Sequence, residues 1–322
     1  MQIFHCPSCN ARLWFHNTAC TCGTQVYFDP DAQTMTPHGT ACKNRADIGC
    51  NWTAETQADT GGLCRSCAMT ETVPDLREPD NLPLWQRTEE AKRWVLANVM
   101  RWDWFTANDQ GRRPVFKLLS EQTAEGEAQV TMGHAAGTIT INVSEASDAE
   151  LAQRQEDMGE LYRTMIGHMR HELAHFLFER LAEDQGFLSD FRARFGDERA
   201  DYGEALKQHY ANPKSPGQTY ITDYATAHPH EDWAETIAHL LHLTDLLDSA
   251  AASGLSLPSG PPSGYDAYRE SDTERLLTLA VDLSMAINHV NRALDLSDVY
   301  PFVLSDPVRS KLGFAHQAMR HV

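Results

Sequence analysis

No cysteine occurs beyond residue 67 of 322, so disulfides cannot brace the larger part of this chain. Positive charge is also scarce: 27 Lys and Arg stand against 45 Asp and Glu, a net charge of −18. Phosphate contacts need clustered Lys and Arg, so general binding to nucleic acid or to anionic membrane is excluded. Long apolar runs are missing as well, since no stretch approaches the ~20 residues that span a bilayer. The start, Met1-Gln2-Ile3-Phe4-His5-Cys6, has neither a basic segment nor an apolar run of signal-peptide length. A soluble, cytoplasmic protein is expected.

The cysteines that are present come in groups. Cys6-Pro7-Ser8-Cys9 and Cys64-Arg65-Ser66-Cys67 have the two-residue gap that suits tetrahedral zinc, Cys20-Thr21-Cys22 has a single intervening residue, and Cys42 and Cys50 are farther apart. Without an export signal, such spacings read as metal ligands rather than disulfides. Taken in sequence order they form Cys6, Cys9, Cys20, Cys22 and Cys42, Cys50, Cys64, Cys67, with an interleaved grouping still open. Sites closed by four thiolates are structural. Residues 1–75 hold four Lys/Arg against seven Asp/Glu, which argues against a nucleic-acid clamp and leaves protein binding or substrate gating.

After a connector containing Pro74, Pro79 and Pro83, apolar spacing turns helical from Leu84 to Phe105. Strand patterns follow at Val115–Leu119 and in a hairpin of Gln129–His134 with Gly137–Val143. Beyond the polar turn Ser144–Asp148, a helical region runs to about Asp184. Its apolar positions, Leu161, Met165, Ile166, Met169, Leu173, Phe176, Leu177 and Leu181, recur at three- and four-residue steps. Further helices are expected over Glu231–Leu247 and Thr273–Leu294, separated by a flexible loop at Ser249–Gly264, with a short helix near the end.

The first of these helical regions contains His171-Glu172-Leu173-Ala174-His175. Residues four apart share a helix face. Two imidazoles can therefore reach one metal, and Glu172 can reach a water on that metal, as in a metalloprotease. Zinc would polarise a carbonyl and acidify the water, while Glu172 serves as general base and later returns the proton to the leaving amine. The pattern fixes three positions and arises by chance in unrelated chains. The amphipathic helix around it, free of Pro and Gly from Met169 to Gln185, sets it apart from a solvated His/Glu face.

A catalytic zinc takes three protein ligands and keeps one open position. Six residues after His175 stands Leu181, not a histidine, so the third ligand must come from elsewhere. The best source is His228-Pro229-His230-Glu231-Asp232-Trp233-Ala234-Glu235, where Pro229 and the acidic residues suit a helix start. Glu231 is assigned as ligand and Glu235, on the same face, as the carboxylate that holds the ring N–H of a ligand histidine. His228 and His230 are rival ligands. Tyr224 is the first choice of donor to the oxyanion of hydrolysis, ahead of Tyr220, Tyr202, His209 and His228. Asp201 is a further carboxylate expected behind the ligands, and Ile139–Val143 is a candidate edge strand for pairing with an extended peptide.

With these residues in view, the chain resembles a bacterial family of zinc-binding metallopeptidases that carry an N-terminal zinc ribbon. The landmarks are Cys6-Pro7-Ser8-Cys9, Cys50-Asn51-Trp52, Val73-Pro74-Asp75-Leu76, Gly167-His168-Met169-Arg170-His171-Glu172, Phe195-Gly196-Asp197-Glu198-Arg199, Asp201-Tyr202, His209-Tyr210 and Tyr224-Ala225 through Glu235. The resemblance implies a gluzincin-like site with two His and one Glu as ligands, and carries His171, Glu172, His175 and Glu231 onto that set. The chain departs from the family at Cys20-Thr21-Cys22, where a two-residue gap is common, and at Ala174 and Phe176, where Gly and Tyr are common.

The expected fold is α+β: a zinc ribbon of hairpins and loops with two four-cysteine sites over residues 1–75, then a mainly helical, zincin-like metallopeptidase domain with a small sheet over 76–322. The expected cofactors are one catalytic and two structural zinc ions. The expected partners are a peptide or protein substrate and a protein bound through the ribbon, with neither nucleic acid nor membrane. A non-catalytic, zinc-stapled adaptor and a metal-dependent hydrolase of a non-peptide amide are the alternative readings.

Overall fold

Cysteine-bearing turns, rather than long elements, organise the start of the chain. β1 (Phe4–His5) pairs with β2 (Arg12–Leu13) and β3 (Tyr27–Asp29) with β4 (Thr34–Thr36), both antiparallel. α1 (Arg45–Ile48) and α2 (Arg65–Ala68) are single helical turns. Phe28 meets Phe4, Phe15 and Trp52 at ring-centroid distances of 5.7, 4.9 and 5.6 Å, a small aromatic core that cannot stabilise so loop-rich a region alone. The computed structural model describes residues 1–55, 60–147, 150, 164–258, 260–262 and 264–320. They fall into two compact units, Met1–Met169 and Arg170–Val322. The ribbon region thus shares its unit with the elements that follow it, and residue 75 lies inside that unit.

Those elements are a sheet and a long helix. β5 (Thr70–Thr72), β6 (Val115–Leu119), β9 (Gly133–Ala135) and β10 (Thr138–Asn142) form a four-stranded sheet in the order β5-β6-β10-β9, with β10 parallel to β6 and antiparallel to β9. A separate hairpin joins β7 (Gln122–Thr123) to β8 (Gly126–Glu127). The turn between β9 and β10 uses Ala136 and Gly137, both at positive φ. Gln129–Met132, expected to belong to that hairpin, lies outside any strand. β10 sits between two partners, so Ile139 is in an interior strand, not at the edge proposed for peptide pairing. α3 (Asn81–Val99) packs against α1 and α2, and it buries Glu89, Lys92 and Arg93 along with its apolar residues.

The second unit is helical. α4 (Met165–Leu181) begins in the first unit and carries the His171–His175 motif into the second. α5 (Gln185–Phe195) starts at Asp184, whose side chain accepts from Gly186 N–H, and α6 (Tyr202–Ala211) is capped in the same way by Asp201. α7 (Pro229–Ser253) outruns its expected end and stops at Gly254, which adopts φ 78°. α8 (Thr273–Ala293) and α9 (Asp306–Arg320) complete the unit. Leu161 and Asp148, and Ser259 and Ser263 of the expected loop, lie outside the described residues. No helix among the described residues is long and apolar enough to cross a membrane.

α7 is the central element, packed by α5, α8 and α9. Trp233 is fully buried and donates from Nε1 to the carbonyl of Ala174 at 3.0 Å, tying α7 to α4. Phe178, Phe187, Phe191, Phe195 and Phe314 surround its indole at 5.4–6.1 Å. One residue earlier, buried Asp232 accepts from Lys311 of α9 at 2.6 Å, and Lys311 also donates to the carbonyl of Thr219 at 2.8 Å. Burial pushes the pKa of Asp232 up to about 6, against the pull of Lys311. A carboxylate whose folded pKa exceeds its unfolded value takes its proton more readily when folded, so its cost is greatest above that pKa and shrinks as pH falls through it. Lys311→Met should therefore destabilise the protein by about 3–5 kcal/mol at pH 8 and by clearly less at pH 5, as read by denaturant unfolding. An equal loss at both pH values would contradict this account.

Candidate metal centre

The centre is assembled within the second unit from one face of α4 and the first two turns of α7. His171 and His175 lie one turn apart on α4 and Glu231 lies in the first turn of α7. His171 Nε2 is 3.0 Å from Glu231 Oε2 and 3.2 Å from His175 Nε2, and the third side of the triangle, His175 Nε2 to Glu231 Oε2, is 3.5 Å. A tetrahedral ion with ligand bonds of ~2.0–2.1 Å has ligand–ligand edges of about 3.3–3.4 Å. The three atoms therefore match one face of such a tetrahedron, and among the described residues no further His, Cys, Asp or Glu joins the group.

Two of the three candidate ligands, His171 and Glu231, are held from behind. His171 donates from Nδ1 to Glu235 Oε1 at 2.7 Å, and Glu235 Oε2 accepts from Thr222 Oγ1 at 2.8 Å. Glu231 turns its other oxygen, Oε1, to the hydroxyl of Tyr202 at 2.7 Å. Burial opposes a charge on His171, but Glu231 and Glu235 outweigh it and raise its pKa well above the usual value. Burial likewise opposes the charge of Glu231, yet His175 and His171 hold its pKa well below the carboxylate range. A proton held among these groups competes with a metal cation, so metal affinity falls as pH falls. Glu172, next to the first ligand, is 7% exposed, and its Oε2 is buried with no hydrogen-bond partner among the described residues.

The other expected residues fall in different places. The ring of Tyr224 lies 5.9 Å from that of His171, and burial followed by the charge of Glu231 raises its pKa, so it stays a protonated donor. Asp201 is exposed and caps α6 through Glu204 N–H at 2.9 Å. Its neighbour Tyr202 is the residue that reaches the ligand set. His228 caps α7: its Nδ1 accepts from His230 N–H at 3.1 Å, and its Nε2 donates to the carbonyl of Ala200 at 3.1 Å. Both of its nitrogens are thus used, which removes it as a rival ligand. His230 packs edge-on against Phe178 with ring centroids 4.7 Å apart, and burial lowers its pKa to about 4. Thr222 carries no sequence signal, because nothing in the spacing of a loop threonine points to Glu235.

In the first unit the cysteines gather in sequence order. Cys6, Cys9, Cys20 and Cys22 form one cluster, with Cys9 and Cys22 exposed, and Cys42, Cys50, Cys64 and Cys67 form another, entirely buried. Sulfur pairs stand 3.8 Å (Cys6–Cys22), 3.6 Å (Cys9–Cys20), 3.5 Å (Cys50–Cys64) and 3.7 Å (Cys50–Cys67) apart. Zinc–sulfur bonds of ~2.3 Å in a tetrahedron set edges of about 3.8 Å, so both clusters fit zinc, including the one built with the single-residue gap of Cys20-Thr21-Cys22. For the helical centre, Glu235→Gln and Tyr202→Phe should each weaken zinc binding by about 10–100-fold while leaving the circular dichroism spectrum unchanged. Competition with a chromophoric chelator measures this, and parental affinity in both variants would show that the two groups do not support the ligands.

Residues 81–318 match a family described as "Putative zinc-binding metallo-peptidase", and residues 36–78 match a zinc-ribbon domain. Uncharacterized proteins of Mycobacterium tuberculosis strain H37Rv and of Mycobacterium bovis are each 36% identical to this chain over 341 residues, covering 100% of it and 96% of the relative. No solved structure matches it. With the metal triad on two helices and the ribbon ahead of it, the chain belongs to this family of zinc-binding metallo-peptidases.

Proposed function

We propose that the protein is a zinc-dependent peptidase of gluzincin type that hydrolyses amide bonds with Glu172 as general base. The observation that carries this reading is the convergence of His171 Nε2, His175 Nε2 and Glu231 Oε2 within 3.5 Å of one another; Glu172, next in sequence to His171, has a buried oxygen with no hydrogen-bond partner among the described residues. These three residues would hold the ion. When bound, zinc supplies a Lewis acid that polarises the scissile carbonyl and lowers the pKa of water.

The chain's own groups do the rest. Glu172 takes a proton from the attacking water at Oε2 and passes it to the leaving amine. Glu235 keeps His171 in the tautomer that leaves Nε2 free, and Tyr202 fixes Glu231 by its outer oxygen. Tyr224, protonated and beside His171, donates to the oxyanion. The substrate in this reading is a peptide or protein, and the ribbon binds a protein partner. Its Trp14 is 59% exposed, a side chain of the kind interfaces favour. Eight thiols grouped as metal ligands suit a reducing compartment, which supports a cytoplasmic location.

Glu172→Gln should keep the parental zinc content and lose about 10²–10⁴-fold in kcat/KM on a peptide library read by mass spectrometry. Parental cleavage by this variant would remove Glu172 as base. Failure of the wild type to cleave any peptide while cleaving small acylated amines would move the reading to a non-peptide amide.

A further inference from the structure

Arg93 lies on α3 with its side chain fully buried, and none of Nε, Nη1 and Nη2 has a hydrogen-bond partner among the described residues. A guanidinium buried in this way is costly unless an opposite charge faces it. The buried carboxylate on the same helix does not suffice. Glu89 accepts from Lys92 at 2.9 Å and from Thr70 at 2.7 Å, both at Oε1, and its Oε2 makes no hydrogen bond to Arg93 or to any other described residue. Two buried cations, Lys92 and Arg93, therefore share one buried anion on α3, and one positive charge is left over.

The ribbon offers negative charge of its own. α3 packs on α1 and on α2, the turn that carries the Cys64–Cys67 knuckle. Burial opposes the charge of Arg93, but Cys50 foremost, then Glu89, Cys67 and Cys64, act on its guanidinium and hold its pKa above the usual value. The four cysteines of that cluster are at most 2% exposed. A zinc dication held by four thiolates keeps two net negative charges, and at this depth water cannot screen them. The first cluster differs, since Cys9 and Cys22 face solvent, which can take that role.

We propose that Arg93 is the buried counter-ion of the zinc site formed by Cys42, Cys50, Cys64 and Cys67, and that it sets how firmly this site keeps its metal. The two ribbon sites are then unequal by construction: one has part of its charge offset from within by α3, and the other is screened by solvent. Arg93 also makes metal retention in the ribbon depend on a helix that follows the ribbon in sequence.

The test uses the full-length, zinc-loaded protein, challenged with EDTA in the presence of iodoacetamide, with each cysteine followed by peptide mass mapping. In Arg93→Met the four buried cysteines should be alkylated about ten-fold or more faster than in the parent, while the first four keep their parental rates. Arg93→Lys retains the charge and should keep the buried group near parental protection. Parental protection in Arg93→Met overturns the proposal. So does equal loss in Arg93→Met and Arg93→Lys, which assigns the residue to packing alone. If Arg93→Met does not fold, Arg93→Lys is compared with Arg93→Gln, and equal rates in that pair overturn the proposal as well.

Discussion

His171 is held at both ring nitrogens by carboxylates one helical turn apart, Glu231 at Nε2 and Glu235 at Nδ1. That grip decides much of the second unit. It requires α4 and α7 to approach closely and in one register, because a rotation of either helix would take one carboxylate off the ring. Trp233 secures the register by reaching from α7 to the backbone of α4 at Ala174. Lys311 of α9 anchors the first turn of α7 through Asp232, next in sequence to Glu231. The arrangement brings two carboxylates to one imidazole and would be costly with no cation present, since like charges in a buried site repel. A metal ion resolves that conflict, so packing and chemistry in this unit call for the same species.

The first unit solves a different problem with the same element. In its ribbon region the strands of the two hairpins are two or three residues long, too short for strand pairing to hold that region. Two clusters of four thiols replace a large core. The buried one places negative charge where only protein can balance it, and α3 supplies the cation. In both units the ionisable residues that stand out are thus explained by a positive ion: in one they surround its place, and in the other Arg93 offsets the ligands that hold it.

The parts of this arrangement set by local geometry were legible in the sequence. The i, i+4 spacing of His171 with His175 and of Glu231 with Glu235 states directly which side chains share a face, and the paired cysteine gaps state which thiols can meet. Residues delivered by tertiary packing were not legible. Tyr202 reaches Glu231 only because α6 starts where it does; Asp201, the carboxylate next to it, turned out to be the cap that starts it. Thr222 comes from a loop. Arg93, among charged neighbours in an amphipathic stretch, reads as one more solvated side chain until α3 is seen to turn it inward. The main helices and β6 are legible in the sequence, whereas α5 and α6 are not predicted at all, because their starts depend on caps at Asp184 and Asp201 rather than on apolar period. Ile139–Val143 reads equally as an edge or an interior strand, because pairing partners cannot be read from one strand.

The central claim is that His171, His175 and Glu231 share one ion with an open fourth position. Anomalous diffraction at the zinc absorption edge from crystals of the zinc-loaded protein tests it most directly. The account predicts a peak ~2.0–2.2 Å from His171 Nε2, His175 Nε2 and a Glu231 oxygen, with one non-protein ligand, in addition to peaks at the two cysteine clusters. Peaks at the cysteine clusters alone, or an ion in the second unit closed by a fourth side chain, would contradict it.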